Sequence, residues 1–330
     1  MIATVLWRRD LYQRGRGSAF AVGPDCVVLH ERRTRLVCLE RADGAVRWDV
    51  PMGTWLRGMV LTGDRVLVLP QTPDLLSCLD LRTGALLWSV PTPRWTGNLV
   101  VCADTVVIGG WRGYTPMAGL DLADGRVRWA TPSRVESVTT LVWAGGVLTG
   151  SGREVSLLDP TDRSVLARWQ LPEPLAESDG TAFVPLGEER VVAVCEGGSL
   201  VTFGVGSEGP ARLGSYDSFG RIGYAAGAVW MFRGGKGFLG VDPADGTPVW
   251  SAGTGRHVVA DPVPYSGGLL VGDANGGLRS VGPDSGPAER CSLRGQRLDA
   301  LAAAGDGGLF FVTRGTFGSF SLTSEAGSRP

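Results

Sequence analysis

Lysine is nearly absent from this chain: Lys236 is the only one among 330 residues, and arginine carries the rest of the side-chain positive charge. Histidine is equally scarce, with only His30 and His257, so little imidazole is on hand for acid–base or metal chemistry. The six cysteines, Cys26, Cys38, Cys78, Cys102, Cys195 and Cys291, stand singly, without a C-x-x-C or an adjacent pair. Such cysteines read as small buried side chains, and neither a metal site nor a cofactor is expected. There is no Walker loop, no H-E-x-x-H and no G-x-S-x-G, which removes familiar nucleotide-binding, metalloprotease and serine-hydrolase signatures. No apolar run approaches the ~18 residues that cross a bilayer. The first ten residues also lack the apolar stretch of about 7–15 residues found in a secretory leader. A cytoplasmic place without membrane contact is therefore expected. The net charge of −1 gives no global pull toward nucleic acid, which is not expected as a partner.

What is present is turn-forming and aromatic: 50 glycines, 20 prolines, 11 tryptophans and 43% hydrophobic residues, a composition suited to turn-rich β structure with a large core. One phrase organises it. Cys38-Leu39-Glu40-Arg41-Ala42-Asp43-Gly44-Ala45-Val46-Arg47-Trp48 returns as 78–88 ending at Trp88, as 119–129 ending at Trp129, more loosely at Trp169, and as 240–250 ending at Trp250. Steps of 40, 41 and 40 residues separate the first four tryptophans and 81, two periods, the last pair. A period of about 40 residues points to propellers or solenoids.

Within each period, short apolar runs are bounded by turn residues, as in Asp64-Arg65-Val66-Leu67-Val68-Leu69-Pro70, and no helix of ordinary length is visible. In the second repeat the pattern places four strands, a to d, near 57–61, 65–69, 75–80 and 85–90, with Arg82-Thr83-Gly84 as a tight c–d turn. Four antiparallel strands per period make one propeller blade. Degenerate d strands are expected at 211–215 and near 287–292. Thr4-Val5-Leu6-Trp7-Arg8 is a d strand with nothing before it, and 298–322 supplies three strands lacking a d. The expected fold is therefore an all-β, eight-bladed propeller over 1–322 whose last blade is completed by the N-terminal strand, followed by a short tail, 323–330.

The c-strand and turn pattern, clearest in Leu79-Asp80-Leu81-Arg82-Thr83-Gly84-Ala85-Leu86-Leu87-Trp88, resembles the tryptophan-docking repeat of the quinoprotein (PQQ-like) eight-bladed β-propellers. That superfamily includes quinoprotein alcohol dehydrogenases, an outer-membrane assembly factor and repeat domains of some bacterial kinases. The resemblance implies that Trp7, Trp48, Trp88, Trp129, Trp169 and Trp250 clamp neighbouring blades. It implies little about activity, which has to come from a site. The dehydrogenases hold their quinone with a vicinal disulfide; adjacent cysteines are missing here, so PQQ-dependent oxidation is not expected.

In an up-and-down blade the d–a and b–c connections share one face and the a–b and c–d turns the other. Sorted this way, aspartates crowd the a–b and c–d side, and arginines such as Arg57, Arg94, Arg112, Arg221 and Arg233 collect on the opposite side. One reading is a mouth that attracts an anion. The other is turn-forming Asp on one face and ordinary solvated Arg on the other. The longest b–c connection, 110–117, combines Trp111, Arg112 and Tyr114, and Trp111 has no counterpart in other repeats. The d–a segments Arg94-Trp95 and Trp55-Leu56-Arg57 either converge with it or, since Trp55 and Trp95 each lie seven residues after a repeat tryptophan, belong to the packing of the repeat. Catalytic candidates are fewer: His257 with Asp261, and Tyr216, Asp217 and Tyr224 on comparable ground two blades earlier. Two functions stand: a non-catalytic scaffold binding a protein partner or a small anionic ligand at the basic face, and a cofactor-independent lyase, cyclase or isomerase working in the central funnel.

Overall fold

Unbroken apolar runs such as Val66-Leu67-Val68-Leu69 form strands buried on both faces, because successive side chains point to opposite sides of a sheet. Val66 and Val68 pack with Cys38 and Trp48 of the preceding blade, while Leu67 and Leu69 pack with Val106 and Leu120 of the next. Each sheet is thus sandwiched between two others, and the only closed solution is a ring.

The structure is a computed structural model. It describes all residues except 12–18, 32–34, 138–139, 177–181, 208, 217–219, 234–236, 254–257, 259, 284–289, 294–296 and 324–330. Eight four-stranded antiparallel sheets form blades 1 to 8 over 19–51, 54–91, 99–130, 141–170, 183–215, 221–252, 263–292 and 298–323, the last completed by Ile2–Asp10. The second blade has strands Thr54–Thr62, Arg65–Thr72, Leu75–Asp80 and Leu86–Pro91, within a few residues of the sequence reading. The expected degenerate outer strand is Ala211–Ser215, and the one near 287–292 is the shorter Arg290–Ser292. The last strand runs through Thr323, which pairs with Ile2.

The described core is eight separate clusters, one in each interface between neighbouring blades. Tryptophan N–H groups tie successive blades together. Trp7 Nε1 donates to Arg41 O (2.8 Å), Trp48 to Leu81 O (2.8 Å), Trp88 to Leu122 O (3.0 Å) and Trp129 to Pro160 O (2.8 Å). Counting from the acidic residue that opens the c–d turn (Glu40, Asp80, Asp121 or Asp159), each acceptor is the second residue of the next blade's turn. The fifth residue of that turn has positive φ and is glycine in most copies: a Cβ on Gly84 would lie 2.7 Å from Trp48 Cδ2, so the indole sits directly on the turn.

Trp169 departs from this pattern by packing on Phe203 (4.8 Å between centroids), while the neighbouring Trp143 donates to Gly187 O at 3.0 Å. Trp250 Nε1 is buried without a partner among the described residues. Ring closure has polar support too: the carboxylate of Glu31, 1% exposed, pairs with Arg9 of the N-terminal strand at 2.8 Å.

Candidate binding face across blades 2 to 4

The inner strand of blade 2 carries a β-bulge at the face formed by the d–a and b–c connections. Leu56 pairs with Pro70 and Gly58 with Leu69, leaving Arg57 as the extra residue. Bulges re-aim side chains near sites, and this one turns Arg57 toward blade 3. Its guanidinium carbon lies 4.9 Å from the Trp95 ring centroid and 5.8 Å from that of Trp111. Arg94 sits 5.3 Å from Trp95, Arg112 lies 5.0 Å from Trp111, and Tyr114 meets Trp111 edge-on at 5.6 Å. The result is an alternating row, Arg94, Trp95, Arg57, Trp111, Arg112, assembled from one bulged strand and two connections. Cation–π contacts of this kind contribute roughly 0.5–1 kcal/mol each when exposed.

Local backbone holds the row in place. Trp95 (φ 70°) and Arg112 (φ 50°) adopt the left-handed conformation, uncommon for non-glycine residues and most costly for bulky ones. The loop bearing Trp111 is laced to the blade 3–4 connection: Ser137 N–H donates to Gly110 O at 2.8 Å, and Arg112 N–H to Ser137 O at 3.3 Å. Trp95 nevertheless remains 44% exposed and Tyr114 46%. Two clefts flank Arg57. One of about 550 Å³ is lined by Arg57, Gln71, Asn98, Trp111 and Thr140 among others; a smaller one of about 260 Å³ is lined by Arg57, Gln71, Thr72, Asp74, Arg94 and Trp95. Burial draws the Arg57 guanidinium below the usual arginine range, opposed by the Asp74 carboxylate.

The remaining sequence-selected residues do not join this site. Arg221, on the far side of the ring in blade 6, is ion-paired with Asp261 (2.8 Å) and donates to Ala260 O (2.8 Å). Two candidates thus meet, but as partners across an interface between blades. Arg233 directly follows the blade 6 strand Ala228–Phe232, with its buried Nε unpartnered among the described residues. Tyr224 lies at the a–b end of its strand, away from the Arg221 end. Tyr216 follows an outer strand and lies at the rim, not beside the axis; its hydroxyl donates to Gly246 O, and burial raises its pKa. His257 and Asp217 fall outside the described residues.

The opposite face is not the bare acidic surface that the aspartates suggest. Asp80, Asp124, Asp162 and Asp245 accept backbone N–H groups of their own turns at 2.7–3.0 Å. Arg47, beside Trp48, binds Glu40 and Asp25, and Arg128, beside Trp129, binds Asp121 and Asp104. These guanidinium groups hold the four carboxylates below their ordinary pKa. Five cysteines are buried, and burial pushes the Cys195 thiol up to about 12, which leaves it unreactive.

A family profile described as the outer membrane protein assembly factor BamB matches residues 3–74 and 72–207. The chain belongs to that family. Its fold is similar to the crystal structure of BamB from Moraxella catarrhalis, with a TM-score of 0.76 and 18% identity over 100% of both chains. It is also similar to the computationally designed Ika8 protein, with a TM-score of 0.71 and 13% identity over 96% of this chain and 99% of that one. No curated protein matches it. The BamB-family profile stops between the third and fourth strands of blade 5, yet blades 6 to 8 continue the same architecture.

Proposed function

We propose that this BamB-family propeller is a non-catalytic scaffold that binds another protein through the face bearing Trp95, Arg57 and Trp111. The observation that carries the reading is the convergence of the Arg/Trp row from the bulged inner strand of blade 2 and two separate connections. Exposed aromatics and arginine on a preformed support are the composition of interface hot spots. Membership in a family described as an assembly factor agrees with a binding role. The funnel-enzyme reading gains nothing comparable, since Asp261 is engaged by Arg221 and Tyr216 by Gly246. A cytoplasmic place, suggested by the sequence, belongs to the same proposal and is checked by fractionating host cells.

The test is native mass spectrometry of protein purified from its own host, comparing wild type with W95A/W111A and with H257A/D261A. A stoichiometric protein companion retained by wild type and H257A/D261A but lost by W95A/W111A is expected. Retention by all three would place the interface elsewhere.

A further inference from the structure

Building on that binding face, we infer that the trough across blades 2 to 4 takes an acidic segment of the partner, with one of its carboxylates seated on Arg57. The indoles of Trp95 and Trp111 stack against the Arg57 guanidinium at 4.9 and 5.8 Å. Stacked this way, a guanidinium presents its N–H donors at its edge, in the fork that matches the two oxygens of a carboxylate. Among the described residues neither Arg57 nor Arg94 has a hydrogen-bonded or ion-paired partner; their contacts are with the indoles. Among the described residues, Asp74 lines the smaller cleft and Glu136 stands beside Gly113 of the Trp111 loop. Among the described residues the smaller cleft is lined by two guanidinium groups, Arg57 and Arg94, against the single carboxylate of Asp74, so it is net cationic.

A second observation points to an occupant. Thr140, 6% exposed, lines the larger cleft, and its buried hydroxyl has no hydrogen-bond partner among the described residues. A buried hydroxyl left unpaired is unfavourable, and a peptide group lying in the cleft would satisfy it. The shape favours a chain over a small anion. The two clefts share Arg57 and Gln71, so the trough runs past a single cation. Its guanidinium groups are each separated by one indole ring. Carboxylates two or three residues apart in an extended segment, which rises roughly 3.3 Å per residue, match that spacing.

The test uses fluorescence anisotropy with a labelled peptide of alternating Glu and Ser, its Gln-for-Glu counterpart, and an oligothymidylate of equal charge. The Glu peptide should bind and quench tryptophan emission, weaken as salt rises, and bind at least about tenfold more tightly than the Gln peptide. R57Q should weaken it by about tenfold or more, and R57K should recover only part, because lysine lacks the fork. R94Q, at an exposed position, serves if R57Q melts early. Equal binding of the two peptides, no binding of either, indifference to R57Q and R94Q, or tighter binding of the oligothymidylate would each overturn the inference. A natural companion lost by W95A/W111A yet held equally by R57Q would sink the acidic-segment inference and leave the binding face intact. A companion indifferent to every one of these changes would sink both.

Discussion

Tyr216 reaches across to blade 6 where an indole would otherwise do so, its hydroxyl donating to the carbonyl of Gly246 at 2.7 Å. The register places Gly214, opposite Leu200, where Trp48 stands opposite Cys38 in blade 1. A Cβ on Gly214 would come within 2.8 Å of the Tyr216 oxygen, so the ring folds back over the space that glycine leaves. A catalytic candidate in the sequence is, in three dimensions, a clamp. Tyr216→Phe should destabilise the propeller by about 1 kcal/mol, the net value of one hydrogen bond, without altering partner binding. A urea titration beside the capture assay checks both.

The fifth residue of the c–d turn gives a paired prediction. Gly84 (φ 72°) lies under Trp48, whereas blade 4 places Arg163 (φ 66°) at the same point. Gly84→Ala should cost at least about 1–2 kcal/mol, from the left-handed backbone and the crowded indole. Arg163→Gly should stabilise by up to about 1 kcal/mol, since the strain relieved exceeds the added chain entropy. Opposite shifts in urea midpoint are the expected result; shifts of the same sign would contradict it.

Removing residues 1–10 should abolish cooperative melting. It strips blade 8 of its outer strand, breaks the Trp7–Arg41 bond and leaves the buried Glu31 carboxylate without Arg9. A synthetic peptide of those ten residues, added in trans, should restore the melting transition and near-ultraviolet circular dichroism.

His30 predicts a pH dependence. The ring is 1% exposed, with its Nε2 3.0 Å from Gly53 O, and burial lowers its pKa despite that bond. The unfolded chain therefore binds a proton at a pH where the folded one does not, and stability rises with pH across that interval. Stability should fall as pH drops below about 6.5, the unperturbed value, and be independent of His30 above it. His30→Gln should flatten this slope while retaining a donor for Gly53. The carboxylates held low by Arg47 and Arg128 add their own loss at more acid pH.

Much of this fold was legible in one dimension because a propeller repeats. The run Val66 to Leu69 announces a strand buried on both faces, and a tryptophan at steps of about forty residues marks six of the eight outer strands. The site was legible in its parts. Trp111 stood out because no other repeat has a counterpart, and Trp95 and Arg57 lay on segments destined for the same face. What could not be read was pairing. Arg221 and Asp261, drawn from different lists of candidates, neutralise each other. Arg47 and Arg128 reach over the carboxylates of neighbouring turns, which local composition does not show.

The sequence by itself determined strand order, blade number and the N-terminal closure, because these follow from local periodicity and from the unmatched strands at the two ends. Only the tertiary structure decided which charges are spent and which are free. Arg57 and Arg221 look alike in the chain, but one is held between two indoles and the other is bound to a carboxylate. That difference depends on distances between blades, and no local pattern of residues encodes it.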